Sequence, residues 1–252
     1  MSSSYRKDRV HWISIHNKLP NVTVDDFKGR RELLVKEHIN IPVVQENLVK
    51  LDFIISNNML DDYIKAAGLP APSPVILLSG ECATRDHVVQ ITDDPGVQAL
   101  VQQFPELRPG RNVSVLVADS KVLLDKESHI SPSNRVHRFA MLEVPEGVAP
   151  HDCEAKLDAL SNRFTKLALV QKNVLRRTVL ATSVDNLDSA MRQLNVQLAK
   201  LPTFIIQEEY ETQSNMMELL NSAEYKQILV EIKKIFSTSI FCADVITMLN
   251  NA

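Results

Sequence analysis

The stretch PVVQENLVK, Pro42 to Lys50, returns as ALVQKNVLR, Ala168 to Arg176, an offset of 126 residues in a chain of 252. On the N-terminal side the same offset lays HWISIHNKLPNVTVDDFKGRRELL over HRFAMLEVPEGVAPHDCEAKLDAL. Further on, LDDYIKAAGLP matches LDSAMRQLNVQ at 127 and PVILLSGECATRDHVVQI matches PTFIIQEEYETQSNMMEL at 128. SVLVADSKVLL resembles SIFCADVITML near the C-terminus, with Ala118-Asp119 over Ala243-Asp244. Matched stretches in one order point to a duplicated supersecondary unit, residues 1–128 and 129–252.

Within the first copy, Trp12 to His16 alternates as a strand. Thr23 with Asp26 opens a helix over Val24 to His38. Leu48 to Ile55, rich in branched and aromatic residues, reads as a second strand, and a short helix at Met59 to Ala67 is closed by Gly68 and Pro70. Val75 to Cys82 is a third strand, Asp86 to Val101 a helical stretch interrupted at Asp94-Pro95-Gly96, and Val113 to Ala118 a fourth strand. The order β-α-β-(α)-β-α-β is the ferredoxin-like plan, an antiparallel sheet with helices on one face. Its bare second face must be buried, and a second copy supplies the surface. The expected architecture is α+β: two tandem ferredoxin-like units closing one intramolecular barrel. DKESHISPSNRV, Asp125 to Val136, reads as the exposed connection between them.

Composition narrows the partners. The net charge of −3 comes from acids and bases spread along the chain, so no basic stripe attracts a phosphate backbone or an anionic membrane. No apolar run approaches the roughly 20 residues of a membrane span, and MSSSYRKDRVHW lacks the apolar core of a signal peptide. The reading is a cytoplasmic protein that works as a monomer or weak homodimer. Cys82, Cys153 and Cys242 are far apart and form no CxxC pair, which predicts buried small hydrophobes rather than a disulfide or metal site. HExxH, GxGxxG, P-loop and GxSxG patterns are missing, so no nucleotide cofactor is expected.

The segments VTVDDFKGRRELLVKEHINIPVVQENLVKLDFI and PVILLSGECATRDHVVQITDDPGVQALV resemble the dimeric α+β barrel superfamily, in particular EthD-like and stress-responsive A/B-barrel proteins and the fungal type with two tandem copies. EthD-like domains tend to place a His about eight residues beyond the helix-one Phe. Here His38 follows Phe27 by eleven, so that role does not transfer directly to His38. The resemblance implies a pocket between the helices and sheet of one unit. There a His or Tyr moves a proton on a small hydrophobic or phenolic ligand, without a cofactor, in cyclisation, decarboxylation or oxygenation. The superfamily also includes haem enzymes, which need an axial His in a roomy apolar pocket, and that alternative stays open.

Comparing the copies points to the first. His11, Trp12, His16, His38, Tyr63 and His87 lie over His137, Arg138, Leu142, Phe164, Ala190 and Asn215, and only His11 keeps its type. The candidates are therefore His16, Tyr63 and His87 for proton transfer and orientation, with Trp12, Ser14 and His38 as substrate-binding walls. Alternation puts Trp12, Ser14 and His16 on one strand face and His11 on the other. Each candidate also has a plain reading. His16 is a hydrogen-bonded strand-end histidine. His38 is a protonated imidazole favoured at a helix C-terminus. Tyr63 is a core-edge tyrosine. Glu208-Glu209 reads as a solvated strand end, and Asp119, Asp244, Asn47 and Asn173 as backbone caps. A non-catalytic ligand-binding or stress-associated barrel stands as the second function class.

Overall fold

The computed structural model describes residues 6–70, 74–104, 113–182 and 203–251. The chain runs β1 (Arg6–Asn17), α1 (Val24–His38), α2 (Pro42–Asn47), β2 (Leu48–Asn57), α3 (Asp61–Ala66), β3 (Val75–Cys82), α4 (Arg85–Asp93), α5 (Pro95–Gln103) and β4 (Val113–Asp125). After a 3-10 turn at Pro132–Asn134 follow β5 (Val136–Glu143), α6 (Pro150–Thr165), α7 (Ala168–Asn173), β6 (Val174–Thr182), β7 (Phe204–Tyr210), α8 (Gln213–Asn221), α9 (Ala223–Ile235) and β8 (Ser237–Asn250). The block LDSAMRQLNVQ, with Ala190, lies outside the described residues.

Local chemistry places the breaks. The Thr23 hydroxyl accepts from the Asp26 N–H at 3.1 Å and starts α1. Asp94-Pro95-Gly96 starts a second helix rather than merely interrupting one. The Asp94 carboxylate accepts from the Gly96 and Val97 N–H groups at 2.8 and 3.1 Å, and Pro95 fits the first helical turn. Gly68, at φ +62°, closes α3 in the left-handed region that side chains with a Cβ resist.

The eight strands close an antiparallel barrel in the order β1-β3-β2-β8-β5-β7-β6-β4. Residues 6–125 supply the contiguous run β4-β1-β3-β2, and residues 136–250 supply β8-β5-β7-β6. The seams are β2 with β8 and β4 with β6. β4 continues to Asp125, beyond the Ala118 expected from the sequence, because its second half pairs with β6.

Three apolar layers result. Ile13, Ile15, Leu77, Leu116, Phe139, Ile205 and Phe241 are among the side chains filling the barrel, where Phe139 and Phe241 stack at 5.5 Å. A second cluster lies between the β1-β3-β2 face and its helices, around Phe27, Val35, Leu51 and Phe53. A third lies outside the other face, around Leu142, Phe164, Tyr210 and Leu219. The three cysteines are free and buried, as read from the sequence. Among the described residues, no helix is long and apolar enough to cross a membrane.

Candidate functional site

Strand alternation divides β1. Ile13 and Ile15 enter the barrel, while Trp12, Ser14 and His16 point outward under α1, α4 and α5. There they line a cavity of about 110 Å³. Its other walls are apolar, with Leu34 and Val35 from α1, Val88 and Ile91 from α4, Val97 and Leu100 from α5. The polar lining is sparse: Ser14, His16, His38 and Thr92. Thr92 turns its hydroxyl to the Val89 carbonyl at 3.0 Å, so it brings no free donor.

His16 is 2% exposed. Its Nε2 lies 2.8 Å from the Ser14 Oγ, and its Nδ1 is buried without a hydrogen-bond partner. Burial holds its pKa well below the ordinary imidazole value, and the charge of nearby Arg31 lowers it further. His16 is therefore neutral at neutral pH. His38 stacks on Trp12, with ring centroids 6.1 Å apart and planes inclined by 20°. Burial lowers its pKa to about 4. The protonated helix-end reading of His38 is thus wrong, because desolvation in an apolar wall outweighs the helix dipole. Cys82 also lines the cavity, its thiol pushed up to about 12 by burial, with Glu81 adding to the shift.

Two expected partners are elsewhere. Tyr63, on α3, packs against the core of the other half and donates to the Leu220 carbonyl at 3.4 Å. His87 sits in the first turn of α4, where its backbone N–H donates to the Thr84 Oγ1 at 3.3 Å, and its ring is not in the cavity wall. Helix phase explains it: Val88 and Ile91 take the inward positions and turn His87 aside.

The same place in the other half is filled. Trp12 pairs with Gly80, and Gly80 with Leu51. At the matching positions Arg138 pairs with Glu208, and Glu208 with Arg177. Arg138 Nε donates to Glu208 at 2.8 Å, its Nη1 donates to the Tyr225 hydroxyl at 2.7 Å, and Tyr210 donates to Glu208 at 2.5 Å. Arg177 also pairs with Glu208 and lies 4.1 Å from the Phe164 ring centroid. About 20 Å³ of space is left. Glu208 is 0% exposed, so it is no solvated strand end. The signal was present as Arg138 and Arg177, opposite charges at the positions a hairpin register sets beside Glu208. Asp119 and Asp244 are not backbone caps either: Asp244 accepts from the Asn57 side chain at 2.8 Å, and Asp119 lies 3.8 Å from Arg85. Asn47 does cap backbone, donating to the Val43 carbonyl at 2.9 Å, whereas Asn173 donates to Glu218 at 3.0 Å.

Among the described residues, no three His, Cys, Asp or Glu side chains converge as a metal site. A haem iron would need a histidine nitrogen facing a pocket of porphyrin size. His16 presents its ring to only about 110 Å³, so the residues present do not fit that group.

No family model and no curated protein matches the chain. Solved structures do. An anthrone oxidase-like protein superposes with a TM-score of 0.60 at 11% identity, over 98% of this chain and 96% of that one. A candidate monooxygenase from Fusobacterium nucleatum subsp. nucleatum gives 0.56 at 8% identity, over 97% and 94%. A candidate monooxygenase from Lactobacillus acidophilus gives 0.52 at 11%, over 98% of both chains. At such identities the likeness shows the fold alone, a closed eight-stranded antiparallel barrel with helices packed outside it.

Proposed function

We propose that the chain is a small-molecule enzyme that moves a proton on a compact, hydrophobic, oxygenated ring held between β1 and helices α1, α4 and α5. It acts without a bound cofactor, in a cyclisation, decarboxylation or oxygenation. One observation carries this reading: the roomy cavity of the described residues is lined by a neutral, buried imidazole whose Nδ1 has no partner. A buried polar nitrogen without a hydrogen bond is costly, and a ligand hydroxyl or carbonyl would satisfy it. The volume is close to that of engineered apolar cavities of roughly 150 Å³ that hold benzene, which favours one ring over several. In this reading Trp12 and His38 form the flat wall, Ser14 fixes the His16 ring through its Nε2, and His16 exchanges the proton. The neighbours' monooxygenase and anthrone oxidase names are consistent with an oxygenated aromatic substrate.

The same reading takes residues 1–128 and 129–252 as two copies of a ferredoxin-like unit of the EthD-like type, working as a monomer or weak homodimer in the cytoplasm. A second reading, a ligand-binding barrel without chemistry, is favoured by the depressed basicity of His16, since an efficient general base has a pKa near the working pH. The separating experiment uses the single tryptophan, which lies in the wall. Substituted phenols and cyclic ketones are titrated by Trp12 fluorescence, and those that bind are assayed for turnover with the parent and His16→Ala proteins. The enzyme reading expects turnover to fall about 10²- to 10⁴-fold in the variant with binding retained. Full turnover in His16→Ala removes His16 from the mechanism, and binding without turnover by any ligand leaves the binding protein.

A further inference from the structure

The filled half carries a feature that its hydrogen bonds do not explain. Arg138 and Arg177, 4% and 3% exposed, share a single carboxylate, Glu208. Two positive charges against one negative leave an uncompensated buried charge of one unit. Asp158 is bound to Lys121 at 2.7 Å and Glu231 to Arg163 at 2.7 Å, so neither supplies the missing charge. Burial and the neighbouring Arg138 push the Arg177 pKa down, while at Arg138 burial is outweighed by Tyr225, Tyr210 and Cys242, which push its pKa up. Two donors there are also unused. Arg177 Nε and the Ser161 Oγ, on a residue 2% exposed, are buried without hydrogen-bond partners. Both residues line the same cavity of about 20 Å³, together with Arg138 and Tyr225.

We propose that this cavity is a binding site for one small monovalent anion of the chloride class, held by the Arg177 N–H and the Ser161 hydroxyl. Its size admits roughly one water-sized particle, which needs about 10–15 Å³, and so excludes carboxylates, phosphates and organic substrates. A water molecule would accept both hydrogen bonds but leave the charge uncompensated. A halide does both, since it only accepts. The site is separate from the first-half cavity and does not rest on the enzyme reading.

The test measures thermal unfolding in mixtures of sodium methanesulfonate and sodium chloride at constant ionic strength. The parent protein should show a saturable rise in Tm with chloride. Ser161→Ala keeps every charge and removes one donor to the ion, and should raise the half-saturating chloride concentration about tenfold. Crystals of the parent protein grown in bromide should show an anomalous peak between Arg177 and Ser161. A chloride response absent from the parent, or identical in Ser161→Ala, overturns the proposal. So does electron density for a water at that point without an anomalous signal.

Discussion

Gly80 is the position where the two halves differ by a whole side chain, and Gly80→Ala examines what its absence accomplishes. The backbone there is ordinary β-strand, so conformation does not demand glycine; among the described glycines, positive φ occurs at Gly68 and Gly147 and not at Gly80. Space does. A Cβ at residue 80 would come within 3.0 Å of the Trp12 Cε3 and 3.0 Å of the Leu48 Cδ1. Overpacking in a filled core costs about 1–3 kcal/mol. Here both neighbours border the cavity and have room to yield, which puts the cost at the low end. Replacing glycine by alanine also restricts the unfolded chain, a gain of about 0.4–1 kcal/mol. The net stability change in urea unfolding should therefore stay within about 1 kcal/mol. Binding should suffer instead, because the indole and the leucine move into the ligand's space. A methylene's worth of misfit in an apolar pocket is worth about 1–3 kcal/mol, or roughly 10- to 200-fold in the affinity of a single-ring ligand followed by Trp12 fluorescence. A loss of about 3 kcal/mol in stability with unchanged ligand affinity would show a rigid Trp12 wall and refute the reasoning.

Two further outcomes follow from the same geometry. His38 has a folded pKa of about 4 against 6.5 in the unfolded chain, so between these values the unfolded state binds the proton first and stability falls as the pH drops. One such site accounts for about 3 kcal/mol, lost between pH 6.5 and 4 and constant below; His38→Phe should flatten that part of the urea-midpoint profile, and an unchanged slope would place His38 in solvent. A protease site inserted between Asp125 and Val136 should leave the two fragments together on a sizing column after cleavage, because the β2-β8 and β4-β6 ladders join them. Fragments that separate would mean the tether holds the barrel.

The fold was largely legible because its signals are local. Thr23 marks a helix start, and Gly68 and Pro70 mark a helix end, in the sequence as in the structure. The period-two run from Trp12 to His16 put Trp12, Ser14 and His16 on one strand face, and the structure turns that face toward the helices. Tyr63 and His87 were misplaced because a comparison with Ala190 and Asn215 in the aligned sequence says nothing about helix phase or about which half a short helix packs against. The protonation of His38 was misread for a related reason: the helix dipole is visible in sequence, and the burial that overrides it arises only when Trp12, from another element, covers the ring. Glu208 was misread because neighbouring acids suggest solvent, whereas its two arginines come from β5 and β6.

The cavity is therefore a property of a set of residues and not of His16 alone. In one half the triplet is Trp12, Gly80 and Leu51, and in the other it is Arg138, Glu208 and Arg177. Mixed sets are costly. An arginine in place of Leu51 with Gly80 unchanged would bury a charge without a carboxylate, and removing one member of a buried ion pair costs about 3–5 kcal/mol. A glutamate at residue 80 without an arginine would do the same with the opposite sign, with its Cβ 3.0 Å from the Trp12 Cε3, inside van der Waals contact. The two triplets are separate solutions to the same strand register, one closed by charge and one left apolar with space beside it. Only the apolar one leaves a histidine in the wall of a space that could take a ligand.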